Sequence, residues 1–209
     1  MELRCEALVL GIGNVLWADE GFGVRAVEAL HAAYAFPSAV MLQDGGTLGL
    51  NLYESVASAR RVLVFDAIDV ARPPGTIVVL RGAEVPAWGR TKLSPHQTGF
   101  NDVLALAQLN DRAPETIVAI GVQPQELSDF GGSLTEGVRK HLPDVVALAA
   151  RELALWGYPG KRRRAGSRCE PLNARSLALD AYESGRPSAA EACRVGDARV
   201  LARTDPRRR

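Results

Sequence analysis

Five short apolar runs, separated by stretches of helical periodicity, restrict this chain to an α/β architecture. The runs are EALVLGI (6–12), AVMLQ (39–43), RVLVFDAI (61–68), TIVVLR (76–81) and ETIVAIGV (115–122). They are short and nearly continuous rather than alternating, the pattern of parallel strands covered on both faces. After the first run Phe22, Val24, Ala26, Val27, Leu30 and Ala33 recur at helical spacing, which predicts an amphipathic helix over about 20–34 with Asp19 as its N-cap. A second helix is expected over 48–58. Ser94-Pro95 opens a third, running to about 109, with Ser as cap and Pro at the first helical position. Pro73-Pro74-Gly75 is a turn. Residues 134–156 carry a long helical pattern with a restart at Pro143. Such alternation predicts a doubly wound, mainly parallel twisted sheet of about five strands flanked by helices.

The net charge of +1 conceals a division along the chain. Residues 1–160 hold 12 basic against 18 acidic residues, and residues 161–209 hold 13 against 6. An acidic body is therefore followed by a basic tail. The break falls at Gly157-Tyr158-Pro159-Gly160, giving an α/β catalytic domain over 1–158 and a basic C-terminal extension over 159–209, partly helical or disordered. The extension has weak helical patterning over 172–203 and no core of its own, so it either packs on the body or is partly disordered. Its arginine runs, Arg162–Arg164 and Arg207–Arg209, lack interleaved aromatics, so a solvated tail is expected and not a nucleic-acid site.

No apolar run approaches the roughly 20 residues that span a bilayer, so no membrane partner is expected. The N-terminus lacks the basic–apolar–small order of a signal peptide, and a cytoplasmic location is expected. Cys5, Cys169 and Cys193 are odd in number and widely spaced, which suggests neither a disulfide framework nor a zinc knuckle.

Gly11-x-Gly13-x-x-Leu16 is a broken dinucleotide fingerprint. Its third glycine is missing, and Asp19 and Glu20 would meet an anionic pyrophosphate with like charge. No nucleotide cofactor is expected. No Gly-x-Ser-x-Gly elbow occurs, and Cys5 lies at the wrong edge of the sheet for a nucleophile.

A different set is more informative. Glu20 follows the first strand, Asp44 ends the second, Asp66 lies near the end of the third, and His96 sits in the first turn of the Ser94-Pro95 helix. In a parallel sheet these positions share one edge, where ligands bind at the topological switch point. Oxygen and nitrogen donors of this kind suit Ni²⁺, Zn²⁺ or Co²⁺, and a helix N-terminus favours neutral imidazole, the metal-binding form. Each residue also has a purely structural reading. Asp19 and Glu20 can complement a helix N-terminus, Asp44-Gly45-Gly46 can be only a turn, and His96 can cap its own helix. Asp66 can bond a neighbouring loop, although it interrupts an apolar strand and so demands a partner. His31 and His141 lie on helical patterns and read as surface or packing residues.

The blocks Gly11-Ile12-Gly13-Asn14-Val15-Leu16, Asp19-Glu20-Gly21-Phe22-Gly23-Val24, Asp44-Gly45-Gly46-Thr47, Asp66-Ala67-Ile68 and Ser94-Pro95-His96-Gln97 resemble, in order and spacing over about residues 5–155, the nickel–iron hydrogenase maturation endopeptidases. The resemblance implies a peptidase, grouped with the aspartic type, whose partner is the hydrogenase large-subunit precursor. It would remove the precursor's C-terminal extension after nickel insertion. The nickel would be supplied by the precursor rather than permanently bound, and would serve recognition. On this resemblance Glu20, Asp66 and His96 fall on metal-contacting positions. Asp44 falls on a position implicated in cleavage or substrate recognition, and either Asp44 or Glu20 can serve as base. Asp180-Ala181-Tyr182-Glu183 and Gly185-Arg186-Pro187 resemble the longer members that serve membrane-bound or oxygen-tolerant hydrogenases. Two other readings use the same scaffold: a non-catalytic nickel-dependent checkpoint or chaperone for hydrogenase assembly, and a metal-independent hydrolase.

Overall fold

The structure, a computed structural model, describes residues 5–89, 95–164 and 169–186, with side chains at 88, 89 and 95–98 outside the description. Ser94, the His96 side chain, Cys193 and the Arg207–Arg209 run therefore lie outside the described residues. Strand β1 (Cys5–Ile12) leads through a 3-10 turn (Ala18–Gly21) into α1 (Phe22–Ala33). The two-residue β2 (Tyr34–Ala35) and then β3 (Val40–Gly46) follow. A 3-10 turn (Gly49–Leu52) runs directly into the short α2 (Tyr53–Ala57), then β4 (Ala59–Ala67) and β5 (Ile77–Arg81). Next come α3 (Glu84–Gly89), α4 (Pro95–Leu109), β6 (Thr116–Val122), α5 (Glu136–Arg139) and α6 (Leu142–Leu155). The extension contributes β7 (Lys161–Arg162) and α7 (Leu179–Gly185).

The main sheet has the order β3-β1-β4-β6-β5. Its first four strands are parallel, as their apolar runs predict, and β5 pairs antiparallel with β6 at one edge. Alternation along each strand divides the core in two. Val9, Leu63, Phe65 and Ile120 pack with Phe22, Val27 and Leu30 of α1 and with Val145, Ala149 and Leu153 of α6. Leu8, Leu10, Val62, Val64 and Ala119 pack on the other face with Val56 of α2, Val85 of α3 and Val103 of α4. The chain leaves β1 towards β3 on the α1 face and leaves β4 towards β6 on the α4 face. The switch point of the sheet therefore lies between the C-terminal ends of β1 and β4. Among the described residues no helix is long and apolar enough to cross a membrane.

The long helical pattern near the end of the body is two helices, α5 and α6, with Pro143 in the first turn of the second. The six-residue α3 has no periodic signature in the sequence. The extension returns to the body at once. β7 pairs antiparallel with β2, Arg163 N–H donates to the Ala33 carbonyl at 2.8 Å, and Leu172 packs against the α1–α6 cluster. His31, which the sequence leaves without partners, finds them in this returning segment: its Nε2 lies 2.8 Å from the Glu170 carbonyl and 3.1 Å from Cys169 Sγ.

The antiparallel edge strand is tied to α6 by a two-pronged ion pair. Arg81 Nη1 and Nη2 donate to Glu152 Oε1 and Oε2 at 2.8 and 2.7 Å. Glu152 is buried, and these bonds hold its carboxyl below the usual glutamate value of 4.5. Arg81 is half-exposed, which limits the pair's worth. We expect Arg81→Met to destabilise the fold by about 1–2 kcal/mol at neutral pH. Because the folded-state carboxyl titrates below its unfolded value, the pair contributes fully above pH 4.5 and is lost as pH falls on through the lower folded-state value. Urea unfolding at pH 7 and at steps below pH 4.5 should show the gap between wild type and variant narrowing as the pH falls.

Candidate functional site

The site begins with two close backbone approaches. β1 gives way to Gly13 at φ +132°, and a Cβ there would collide with the Glu20 carbonyl. A Cβ on Gly23 would collide with the carbonyls of both Ile12 and Phe65. Only glycine lets the start of α1 lie directly across the ends of β1 and β4. Glu20 is thereby held beside the switch point, in a turn that contacts β4.

Asp44 and Asp66 flank this point on opposite faces of the sheet. Gly11 is in register with Asp44 on β3 and with Phe65 on β4, so Asp44 shares the face of Phe65 and looks towards α1. Asp66, one residue further, takes the parity of Val62 and Val64 and belongs to the α4 face. It is 1% exposed, and its Oδ1 accepts the Ala67 N–H at 2.7 Å. His96 is the second residue of α4, on that same face. Glu20 and Asp66 thus bracket the seam, and Asp44 stands apart from them on the α1 side. Among the described residues no three His, Cys, Asp or Glu side chains form a complete metal centre. Glu20 and Asp66 supply two oxygen donors of a kind that accepts a borderline divalent cation.

Asp44 is half-buried, and burial raises its pKa above the usual 3.8. The Gly46 N–H to Oδ1 (2.8 Å) and the Asn173 amide to Oδ2 (2.7 Å) oppose that rise, Glu28 adds to it, and Arg25 lowers it. A carboxylate with two fixed donors and a pKa moved towards neutrality suits a general base.

Asp19 differs from its expected role. Gly21, not Asp19, precedes α1 as N-cap, and no side chain caps that helix. Asp19 is 0% exposed. Its Oδ2 accepts the N–H groups of Gln125 (2.9 Å) and Glu126 (3.0 Å) and the Thr135 hydroxyl (3.0 Å), and its Oδ1 accepts the Thr135 N–H (2.7 Å). Asp19 lies within the 3-10 turn that precedes α1, and both its carboxylate oxygens are taken up by residues outside that helix. The carboxylate instead pins the loop after β6 against the loop after β1.

Nothing in the sequence marks Gln123 or Asn173. Gln123 is buried at the end of β6; its Oε1 accepts the N–H groups of Val70 and Arg72, and its Nε2 donates to Asp69. This fixes the loop leaving β4. The rim itself is apolar. Trp17 meets Phe130 edge-on at 5.2 Å, and Leu16, Leu48, Leu50, Leu127 and Phe130 are all exposed in the loops after β1, β3 and β6. Such a concentration of exposed apolar side chains at one edge of the sheet is the mark of a protein-binding surface.

Comparisons with known proteins show the family to which such a chain is similar. A family model described as hydrogenase maturation protease matches residues 24–152. The hydrogenase expression/formation protein HupD of Bradyrhizobium diazoefficiens is 51% identical over 76% of this chain and 83% of that protein. The hydrogenase 2 maturation protease of Escherichia coli is 43% identical over 73% of this chain and 94% of that protein. The solved structure of the hydrogenase maturating endopeptidase HybD from E. coli superposes with a TM-score of 0.73 at 36% identity, covering 76% of this chain and 98% of that one.

Proposed function

Since the chain belongs to the hydrogenase maturation protease family, we propose that it removes the C-terminal extension of a nickel–iron hydrogenase large-subunit precursor once nickel is in place. That it is a peptidase acting on a hydrogenase precursor follows from the family; the nickel dependence and the residue roles are proposed on the placement of its carboxylates. The observation that carries it is the seating of Glu20 and Asp66 at the β1/β4 switch point, with α4 opening at His96 on the Asp66 face and Asp44 on the other.

In this reading the apolar rim docks the precursor. Nickel already bound in that substrate is contacted by Glu20, Asp66 and His96, which aligns the scissile bond with the crevice. The substrate's metal polarises the scissile carbonyl or the attacking water. Asp44 takes the proton from water as its oxygen adds to the carbonyl carbon. The C–N bond then breaks, and the proton passes to the leaving amine. Two carboxylates divided in this way need not share a proton, so no aspartic dyad is invoked.

The test is a two-component reaction of nickel-loaded precursor with the full chain, followed by mass spectrometry of the released peptide. Wild type should release it, and chelation before nickel loading should prevent release. Glu20→Gln, Asp66→Asn and His96→Ala should each slow release by roughly 10–100-fold, mainly through weaker engagement of the nickel-bearing precursor. Full-rate cleavage by all three variants would sink the ligand assignment.

A further inference from the structure

We propose that Asn173, carried by the C-terminal extension, is a positioning residue for Asp44, so that the extension completes the cleavage site of the α/β body. This rests on the reading of Asp44 as general base. The Asn173 Nδ2 amide donates both hydrogens to carboxylates that are distant in sequence: to Asp44 Oδ2 at 2.7 Å and to Glu28 Oε1 at 2.9 Å. The second oxygen of each carboxylate is held as well. Gly46 N–H donates to Asp44 Oδ1 at 2.8 Å, and Arg25 Nη1 donates to Glu28 Oε2 at 2.9 Å. Arg25 is itself buried beneath the extension, donating to the Leu177 carbonyl and lying 5.7 Å from the centre of the Tyr182 ring. A continuous chain of bonds therefore runs from the β3 turn, through Asp44 and Asn173, to α1 and back to the extension.

The extension is anchored well enough to set the amide's position. Before Asn173, the partly buried Leu172 packs against the α1–α6 core. After it, Glu183 accepts bonds from Ser133 (2.7 Å) and Arg139 (2.7 Å), and the Tyr182 hydroxyl donates to the Gly132 carbonyl at 3.2 Å. Closing the extension over α1 leaves Arg25 Nη2 buried with no hydrogen-bond partner among the described residues. A buried orphan donor is unfavourable, so the contacts made by the extension outweigh it.

The chemistry of the bridge suits its place. From α1, Glu28 and Arg25 face Asp44, and on the extension Glu170 and Arg175 flank Asn173. A neutral side chain with two N–H groups joins two like charges without adding a third. An acid there would repel both, and an apolar residue would leave both facing each other. Removing the amide frees one oxygen of Asp44 and leaves burial and Glu28 less opposed, which moves the carboxyl's pKa further up.

Full-length Asn173→Ala and Asn173→Leu are the test, with Asn173→Gln as the conservative variant. Two readouts apply: cleavage of nickel-loaded precursor across pH, and NMR titration of the Asp44 carboxyl after 13C labelling. Both removals should lower kcat on the order of ten- to a hundred-fold with KM little changed. They should shift the acid limb of the kcat profile, and the carboxyl titration, to higher pH. Asn173→Gln should restore part of both. A raised KM with kcat and the acid limb unmoved would make the extension a docking arm and overturn the proposal, as would faster cleavage, which would make it a restraint. If Asp44→Asn cleaves normally the general-base reading fails, whereas an unmoved carboxyl titration in Asn173→Ala defeats the positioning role itself.

Discussion

Asp44→Asn will slow cleavage of the precursor by about 10²- to 10⁴-fold in kcat, the usual worth of a positioned general base, while the chain stays folded. The substitution is nearly isosteric. The new amide oxygen can still accept the Gly46 N–H that holds Oδ1 at 2.8 Å. Its NH₂ group then meets the Asn173 amide, donor against donor, where Oδ2 had accepted. That conflict is confined to a half-buried position and should destabilise by about 1 kcal/mol, too little to unfold a domain of this size. Loss of rate therefore reports chemistry rather than collapse. In the wild type, burial sets the Asp44 pKa above 3.8. Cleavage that depends on the ionised form falls as pH drops through that raised value, and the residual activity of Asp44→Asn loses this limb. Timed mass spectrometry at several precursor concentrations separates kcat from KM. A wild-type kcat in the variant would remove Asp44 from the chemistry.

The parts of this site that the sequence reveals are those encoded locally. β1, β3, β4 and β6 are visible because strands covered on both faces must be apolar throughout. Asp66 stands out because a carboxylate breaks such a run. Glu20 and His96 stand out because each sits just beyond a strand or at a helix start. β5 reads as a strand, yet its antiparallel direction is set by where the Pro73-Pro74-Gly75 turn sends the chain, which no periodicity records. α3 spans only Glu84–Gly89, too short to display a repeat. The opposite faces of Asp44 and Asp66 emerge only from register across β3, β1 and β4. Asn173 is least legible of all. Its partners Glu28 and Asp44 lie 145 and 129 residues away in the α/β body, while Asn173 itself belongs to a segment whose composition suggests a solvated tail. The basic charge there is a poor guide, because the contact that matters is made by a neutral amide.

Asp19→Ala should be the most destabilising single change at this edge, on the order of 3–5 kcal/mol. Local reading makes Asp19 a helix cap, whose removal would be worth about 1 kcal/mol. The larger figure follows from where its bonds go. Three backbone N–H groups, those of Gln125, Glu126 and Thr135, and the Thr135 hydroxyl all end on one fully buried carboxylate. Alanine offers none of them an acceptor. Thr135→Ala loses only the hydroxyl bond and should fall near 1 kcal/mol. Asp19→Asn should lie between, since one oxygen can still accept while the NH₂ faces donors. For a chain of this length the alanine variant should melt roughly 10 °C or more below wild type. Amide exchange should accelerate first at Gln125, Glu126 and Thr135, because the loop after β6 loses its anchor before the sheet loses its core. A drop of 1 kcal/mol or less, with those amides still protected, would mean that the loop is held by its other contacts and that Asp19 is a cap in all but position. The cleavage assay then separates stability from chemistry. Below its melting range Asp19→Ala should keep the acid limb assigned to Asp44 and lose activity through KM, since the loosened loop carries the Trp17–Phe130 rim proposed to dock the precursor.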